Sequence, residues 1–105
     1  MGNLGYSFIP YHPGELLKEE LECRKIKQKD FALKIGVSTT LLNDILNAKR
    51  PVTAEFALLM EAALGINADL LVKMQARYTM QVARANEKNQ TRWQEIRKIC
   101  ASVLS

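Results

Sequence analysis

The chain has 105 residues, 48% of them hydrophobic and 25% charged, and a formal net charge of +4. That size holds one domain with an extension, and the apolar content supports one modest core and excludes a disordered chain. No apolar run approaches the roughly 18 residues of a membrane span, and the start has neither a basic n-region nor a long apolar h-region, so a cytoplasmic protein is expected.

Taken in order, residues 1–12 read as an extended arm carrying Gly2, Gly5 and Pro10, with Phe8, Ile9 and Tyr11 as its apolar residues. His12 is the only histidine and reads as a helix-entry residue. The first helix is expected over 13–23. Pro13 suits a first helical position, where its missing N–H has no partner to lose, and Glu15 favours the positive end of the helix dipole. Leu16, Leu17 and Leu21 turn inward. Glu15, Glu19 and Glu22 share the opposite face at spacings of four and three.

Residues 24–27 connect to a second helix over 28–35, where Phe31, Ala32 and Ile35 form an apolar stripe. Gly36 stops it, because glycine tolerates positive φ at a helix end. Val37 plugs the gap, and Ser38 is a good N-cap for a third helix over 39–46. There Leu41, Leu42, Ile45 and Leu46 supply the buried face. Thr39, Thr40, Asn43 and Asn47 supply a polar one. Ala48-Lys49-Arg50 is a basic loop ended by Pro51. Thr53 caps a fourth helix with a buried stripe of Phe56, Ala57, Met60, Ala63 and Leu64, ended by Gly65. A fifth helix spans 68–85 through Leu70, Leu71, Met74, Tyr78 and Val82, a stripe longer than a small core needs. Residues 86–90 read as a polar break. The tail then carries Trp93, Ile96, Cys100 and Val103 at helical spacing, flanked by Arg92, Arg97 and Lys98.

The expected fold is therefore all-α: a five-helix domain over 13–85, after an arm at 1–12, with an additional C-terminal amphipathic helix in 86–105. Residues 13–65 hold eight basic and eight acidic side chains, so the whole excess of +4 comes from the seven basic and three acidic side chains of 66–105. The neutral part is itself polarised, with Glu15, Glu19, Glu20 and Glu22 ahead of Arg24, Lys25, Lys27, Lys29 and Lys34.

Two short helices about a glycine turn, the second with small polar residues outside, form the pattern of a DNA-binding helix-turn-helix. The expected DNA-facing residues are Lys27, Gln28, Ser38, Thr39, Thr40, Asn43, Asn47, Lys49 and Arg50. Asn43 has the donors and acceptor for a two-bond contact to adenine, and threonine can meet a thymine methyl. Gln28 is expected to hold a phosphate and brace the third helix. Lys49 and Arg50 should hold phosphates, which position without reading sequence. Lys27, where Ser or Thr would cap the second helix better, should attract phosphate at a cost in helix stability. One short helix reads few base pairs, so a homodimer is expected, through Leu70, Leu71, Met74 and Tyr78, with Trp93 and Ile96 either extending the interface or folding back on their own subunit.

Catalysis is not expected. One histidine cannot supply a His-Glu-x-x-His zinc site, and neither a nucleophile elbow nor a phosphate loop is present. No metal or cofactor is expected. Cys23 and Cys100 stand apart and read as reduced thiols.

Residues 28–50 resemble the helix-turn-helix of the phage-repressor and Cro group. His12-Pro13-Gly14-Glu15, Pro51-Val52-Thr53-Ala54-Glu55-Phe56-Ala57-Leu58 and Leu64-Gly65-Ile66 resemble HigA-type antitoxins, over about residues 12–80. The resemblance implies a homodimer that binds double-stranded operator DNA, represses transcription and neutralises a cognate mRNA-cleaving ribonuclease toxin. The alternative is a stand-alone repressor of the same fold with no toxin. A toxin that holds RNA phosphates has a cationic site, so Glu15, Glu19 and Glu22, with Phe8 and Tyr11, are the expected toxin contacts. The chain departs from the family at Lys27, where Ser or Thr is usual, and at Ala48, where glycine is usual. Leu59 replaces a common basic residue and Leu71 a common Trp.

Overall fold

Local chemistry sets the helix ends. The computed structural model describes residues 11–104, and there the chain forms α1 (Pro13–Cys23), α2 (Gln28–Ile35), α3 (Thr39–Leu46), α4 (Ala54–Leu64), α5 (Ala68–Ala85) and α6 (Glu87–Leu104). The expected arm at 1–10, including Phe8, lies outside the described residues. Ser38 Oγ accepts from the Leu41 N–H at 3.0 Å, Thr53 Oγ1 from Phe56 at 3.1 Å and Asn67 Oδ1 from Leu70 at 2.9 Å, so α3, α4 and α5 each begin on a side-chain cap. By contrast, α2 begins at Lys27 with no side-chain cap bond. Gly36 closes α2 at φ 75°, in the left-handed region.

The break expected over 86–90 contracts to Asn86. Its Oδ1 accepts from the Lys88 and Asn89 N–H groups at 2.9 and 3.3 Å, so α6 starts at once. Asparagine is among the strongest N-caps, and one such residue is enough to restart a helix.

The core lies where α1, α3, α4 and α5 meet, around Leu17, Leu42, Leu46, Ala57, Met60 and Leu71. Polar groups tie the layers together. Arg24 Nη2 donates to the Leu64 carbonyl at 2.9 Å, satisfying the end of α4. Gln75 Oε1 accepts from the Val52 N–H at 2.8 Å, and Glu61 Oε2 from the Ala68 N–H at 2.9 Å. A close approach involves Gly14, buried in the first turn of α1. A Cβ there would collide with the backbone carbonyl of Ile45, so the absent side chain lets α1 seat directly on α3.

Two expectations about burial need correction. Ala63 is exposed, because the stripe of Phe56, Met60 and Leu64 already covers the inner face of α4 and Ala63 falls at its edge. Leu71, expected at a two-fold interface, is 0% exposed, whereas its neighbour Leu70 is 48% exposed. The Leu71 side chain itself is taken up by the core of its own chain.

The radius of gyration is 18.0 Å, against about 13 Å for a compact domain of this length. The molecule is elongated, with extents of 58 × 32 × 21 Å. α6 packs on α5 and is pinned by Asn89 Nδ2 on the Ala83 carbonyl at 3.1 Å and Gln90 Nε2 on the Arg84 carbonyl at 2.6 Å. Trp93 is half-buried, while Ile96, Ile99 and Val103 stay exposed.

Candidate nucleic-acid interface

Burying Leu42, Ile45 and Leu46 rotates the other side of α3 to solvent, and Thr39, Thr40, Asn43 and Asn47 are all exposed on it. Ser38 is exposed too, with its oxygen accepting the cap bond. Helical spacing therefore brings the expected base-facing residues together. Gln28, in the first turn of α2, joins them by donating from Nε2 to Asn43 Oδ1 at 3.3 Å. Asn47 donates from Nδ2 to the Asn43 carbonyl at 2.8 Å and to Asn43 Oδ1 at 3.0 Å. Lys18, which sequence reasoning did not single out, reaches from α1 to Asn47 Oδ1 at 3.4 Å. Its side chain lies 29 residues away from its partner along the chain, and no local pattern signals such a contact.

The cations differ in their freedom. Lys27, at the start of α2, and Lys49, beyond α3, are exposed. Arg50 pairs through Nε with Asp44 Oδ2 at 3.3 Å, both partly solvated, so its charge is shared with α3 before any ligand arrives. Ala48, half-buried at φ 63°, turns the chain into this basic loop. A Cβ disfavours that left-handed region, so glycine would adopt this turn at lower cost than alanine.

His12 connects the loop to the fold. It is 1% exposed, its Nδ1 accepts from the Gly14 N–H at 2.8 Å, and its ring meets Tyr78 edge-on at 4.8 Å. Burial pushes the imidazole below its ordinary pKa. A hydrogen bond to the Arg50 backbone and the Glu15 charge oppose that shift. His12 thus ties together α1, the basic loop and α5.

Between α1 and the end of α3, Glu15, Glu19 and Glu22 line one groove with Lys18, Leu46 and Asn47. Tyr11 is 41% exposed nearby. Partial burial, and then the charges of Glu19 and Glu15, push its phenol above the usual value. The acidic face and α3 are therefore neighbours, sharing Lys18 and Asn47. Of the expected interface residues on α5 and α6, Leu70 and Ile96 are exposed, and Met74, Tyr78 and Trp93 are half-buried. Cys23 and Cys100 are free and exposed. Among the described residues no helix is long and apolar enough to cross a membrane.

A short helix, a left-handed glycine turn and a second helix with a solvent-facing polar side define a helix-turn-helix. Residues 17–71 match the helix-turn-helix family model (HTH_3), and the chain belongs to that family. Virulence-associated protein I of Dichelobacter nodosus is 30% identical over 79 residues, covering 74% of this chain and 73% of its own. Among solved structures, the antitoxin HigA of Pseudomonas aeruginosa, determined with the higBA promoter, superimposes with a TM-score of 0.72 at 28% identity, over 79% of this chain and 91% of its own. A HigA-family addiction module antidote protein of Coxiella burnetii gives 0.70 at 29% identity, over 82% and 92%.

Proposed function

We propose that this protein is a homodimeric antitoxin that binds its operator through α3, represses transcription and neutralises a ribonuclease toxin. The observation that carries the reading is the exposed cluster of Thr39, Thr40 and Asn43 on α3, braced by Gln28 and flanked by Lys27 and Lys49. It sits on a scaffold shared with an antitoxin solved with its promoter. Thr39, Thr40 and Asn43 read bases, with Ser38 and Asn47 at the ends of the same face. Lys27, Gln28, Lys49 and Arg50 hold phosphates. The toxin docks on Glu15, Glu19 and Glu22 with Tyr11, and Phe8 belongs to the same expectation. Leu70, Met74 and Tyr78, with Trp93 and Ile96, form the two-fold interface, and Leu71 plays no part in it.

The test is binding to the protein's own promoter and to random DNA across a salt series. Asn43→Ala should cost about 1–3 kcal/mol on the operator and leave the salt slope unchanged. Lys49→Ala should weaken both DNAs about equally and lower the slope by roughly one unit. Equal loss on both DNAs for Asn43→Ala would reverse the assignment. Purification from the native operon tests the toxin: a small basic ribonuclease should accompany the wild type and be lost with Glu15→Lys plus Glu19→Lys. Its absence from the wild type favours a stand-alone repressor.

A further inference from the structure

The amides beside Asn43 form a chain whose direction is set at both ends. Asn47 faces the Asn43 backbone carbonyl at 2.8 Å, and a carbonyl only accepts, so the facing atom is the Asn47 amide nitrogen. At its other end Asn47 meets Lys18 Nζ at 3.4 Å, and an ammonium only donates, so the atom there is the Asn47 oxygen. The same Asn47 nitrogen lies 3.0 Å from the Asn43 side chain, which must therefore turn its oxygen toward it. Gln28 Nε2 reaches that oxygen too, at 3.3 Å. An amide oxygen has two lone pairs, and both of Asn43's are taken. Among the described residues nothing accepts from Asn43 Nδ2.

We infer that Gln28 and Asn47 select which base Asn43 reads, turning it into a donor-only group that prefers guanine. The inference rests on the operator-binding reading of α3. A two-bond contact to adenine needs Asn43 Oδ1 to accept from adenine N6, and that oxygen is already occupied. The outward NH2 group matches an edge made of acceptors. Guanine presents two, N7 and O6, in the major groove; thymine presents one, O4. Adenine sets its N6 donor against the amide donors, and cytosine presents only a donor. Gln28 and Asn47 act through Asn43 and are positioning residues. Lys18 holds the far end of the chain.

The experiment is selection from a randomised duplex library by the full-length protein, followed by competition binding. Asn43→Ala locates the base pair that Asn43 reads, as the position where preference relaxes. There the wild type should favour guanine over adenine by about tenfold, and 7-deazaguanine, which lacks the N7 acceptor, should lose most of that preference. Gln28→Ala combined with Asn47→Ala frees the Asn43 oxygen. The ratio of guanine to adenine should then fall to within about twofold, whatever happens to total affinity. All of these side chains are at or near the surface, and a phosphate bond removed with Gln28 weakens both sequences alike and cancels in the ratio. Adenine preference in the wild type, an unchanged ratio in the double variant, or no position relaxed by Asn43→Ala overturns the inference while operator binding stands. Failure to select any sequence overturns the operator reading and the inference with it.

Discussion

Replacing Gly14 by Ala should be among the most damaging single-methyl changes in this molecule. A Cβ at Gly14 would overlap the Ile45 carbonyl oxygen and come 2.9 Å from His12 Nδ1. Neither can yield cheaply. The Ile45 oxygen belongs to the backbone at the end of α3 and accepts from the Ala48 N–H at 3.2 Å, and the His12 nitrogen is the N-cap of α1. The first turn of α1 must therefore lift from α3. Overpacking of this kind costs about 1–3 kcal/mol, and a weakened cap adds about 1 kcal/mol. A loss near 3 kcal/mol should lower the melting temperature by roughly 12 °C or more in a domain of this size. Gly36→Ala is the matched control. Its φ is 75° and nothing lies within 4 Å of the added methyl, so only backbone strain of about 1–2 kcal/mol is at stake. Thermal and urea unfolding of both variants decide the matter. If Gly14→Ala unfolds within a few degrees of wild type, or is milder than Gly36→Ala, the close seating of α1 on α3 is not what the glycine provides.

Lys27→Ser should supply the missing cap of α2 and raise stability by about 1 kcal/mol while lowering DNA affinity; a rise in both, measured by melting and operator titration, refutes the trade-off. Leu71→Ala should cost about 2–5 kcal/mol in unfolding, while Leu70→Glu should leave the subunit folded and shift it toward monomer in sedimentation, and the reverse pattern would return Leu71 to the interface. Burial depresses the folded-state pKa of His12 below the ordinary 6.5. Between that value and the lower folded one the unfolded chain binds the extra proton, so the contribution of His12 is full above about pH 6.5 and is lost as the pH falls through the folded value. His12→Asn keeps a cap that does not titrate, and urea unfolding at a series of pH values should show a flatter slope below pH 6.5; an unchanged slope assigns the effect elsewhere.

Much of the helical framework was legible in the sequence because its causes are local. Pro13, Ser38, Thr53, Gly36 and Gly65 act within one turn of where they stand, and the apolar spacings that define each helix recur every three or four residues. The exposed face of α3 followed from the same arithmetic, since burying Leu42 and Ile45 leaves Thr39, Thr40 and Asn43 outside. What the tertiary structure alone decided depends on residues far apart in the chain. Leu70 and Leu71 look alike to any periodicity rule, yet the packing of α5 against its neighbours buries one and exposes the other. Gly14 reads as an ordinary early-helix residue until it meets Ile45. Asn43 carries both donor and acceptor in any sequence, and only Gln28, 15 residues earlier, and Asn47, itself bridged to Lys18, determine which of the two it shows to solvent. A side chain's chemical identity is written in the sequence, whereas its unused hydrogen-bonding capacity depends on every group packed around it.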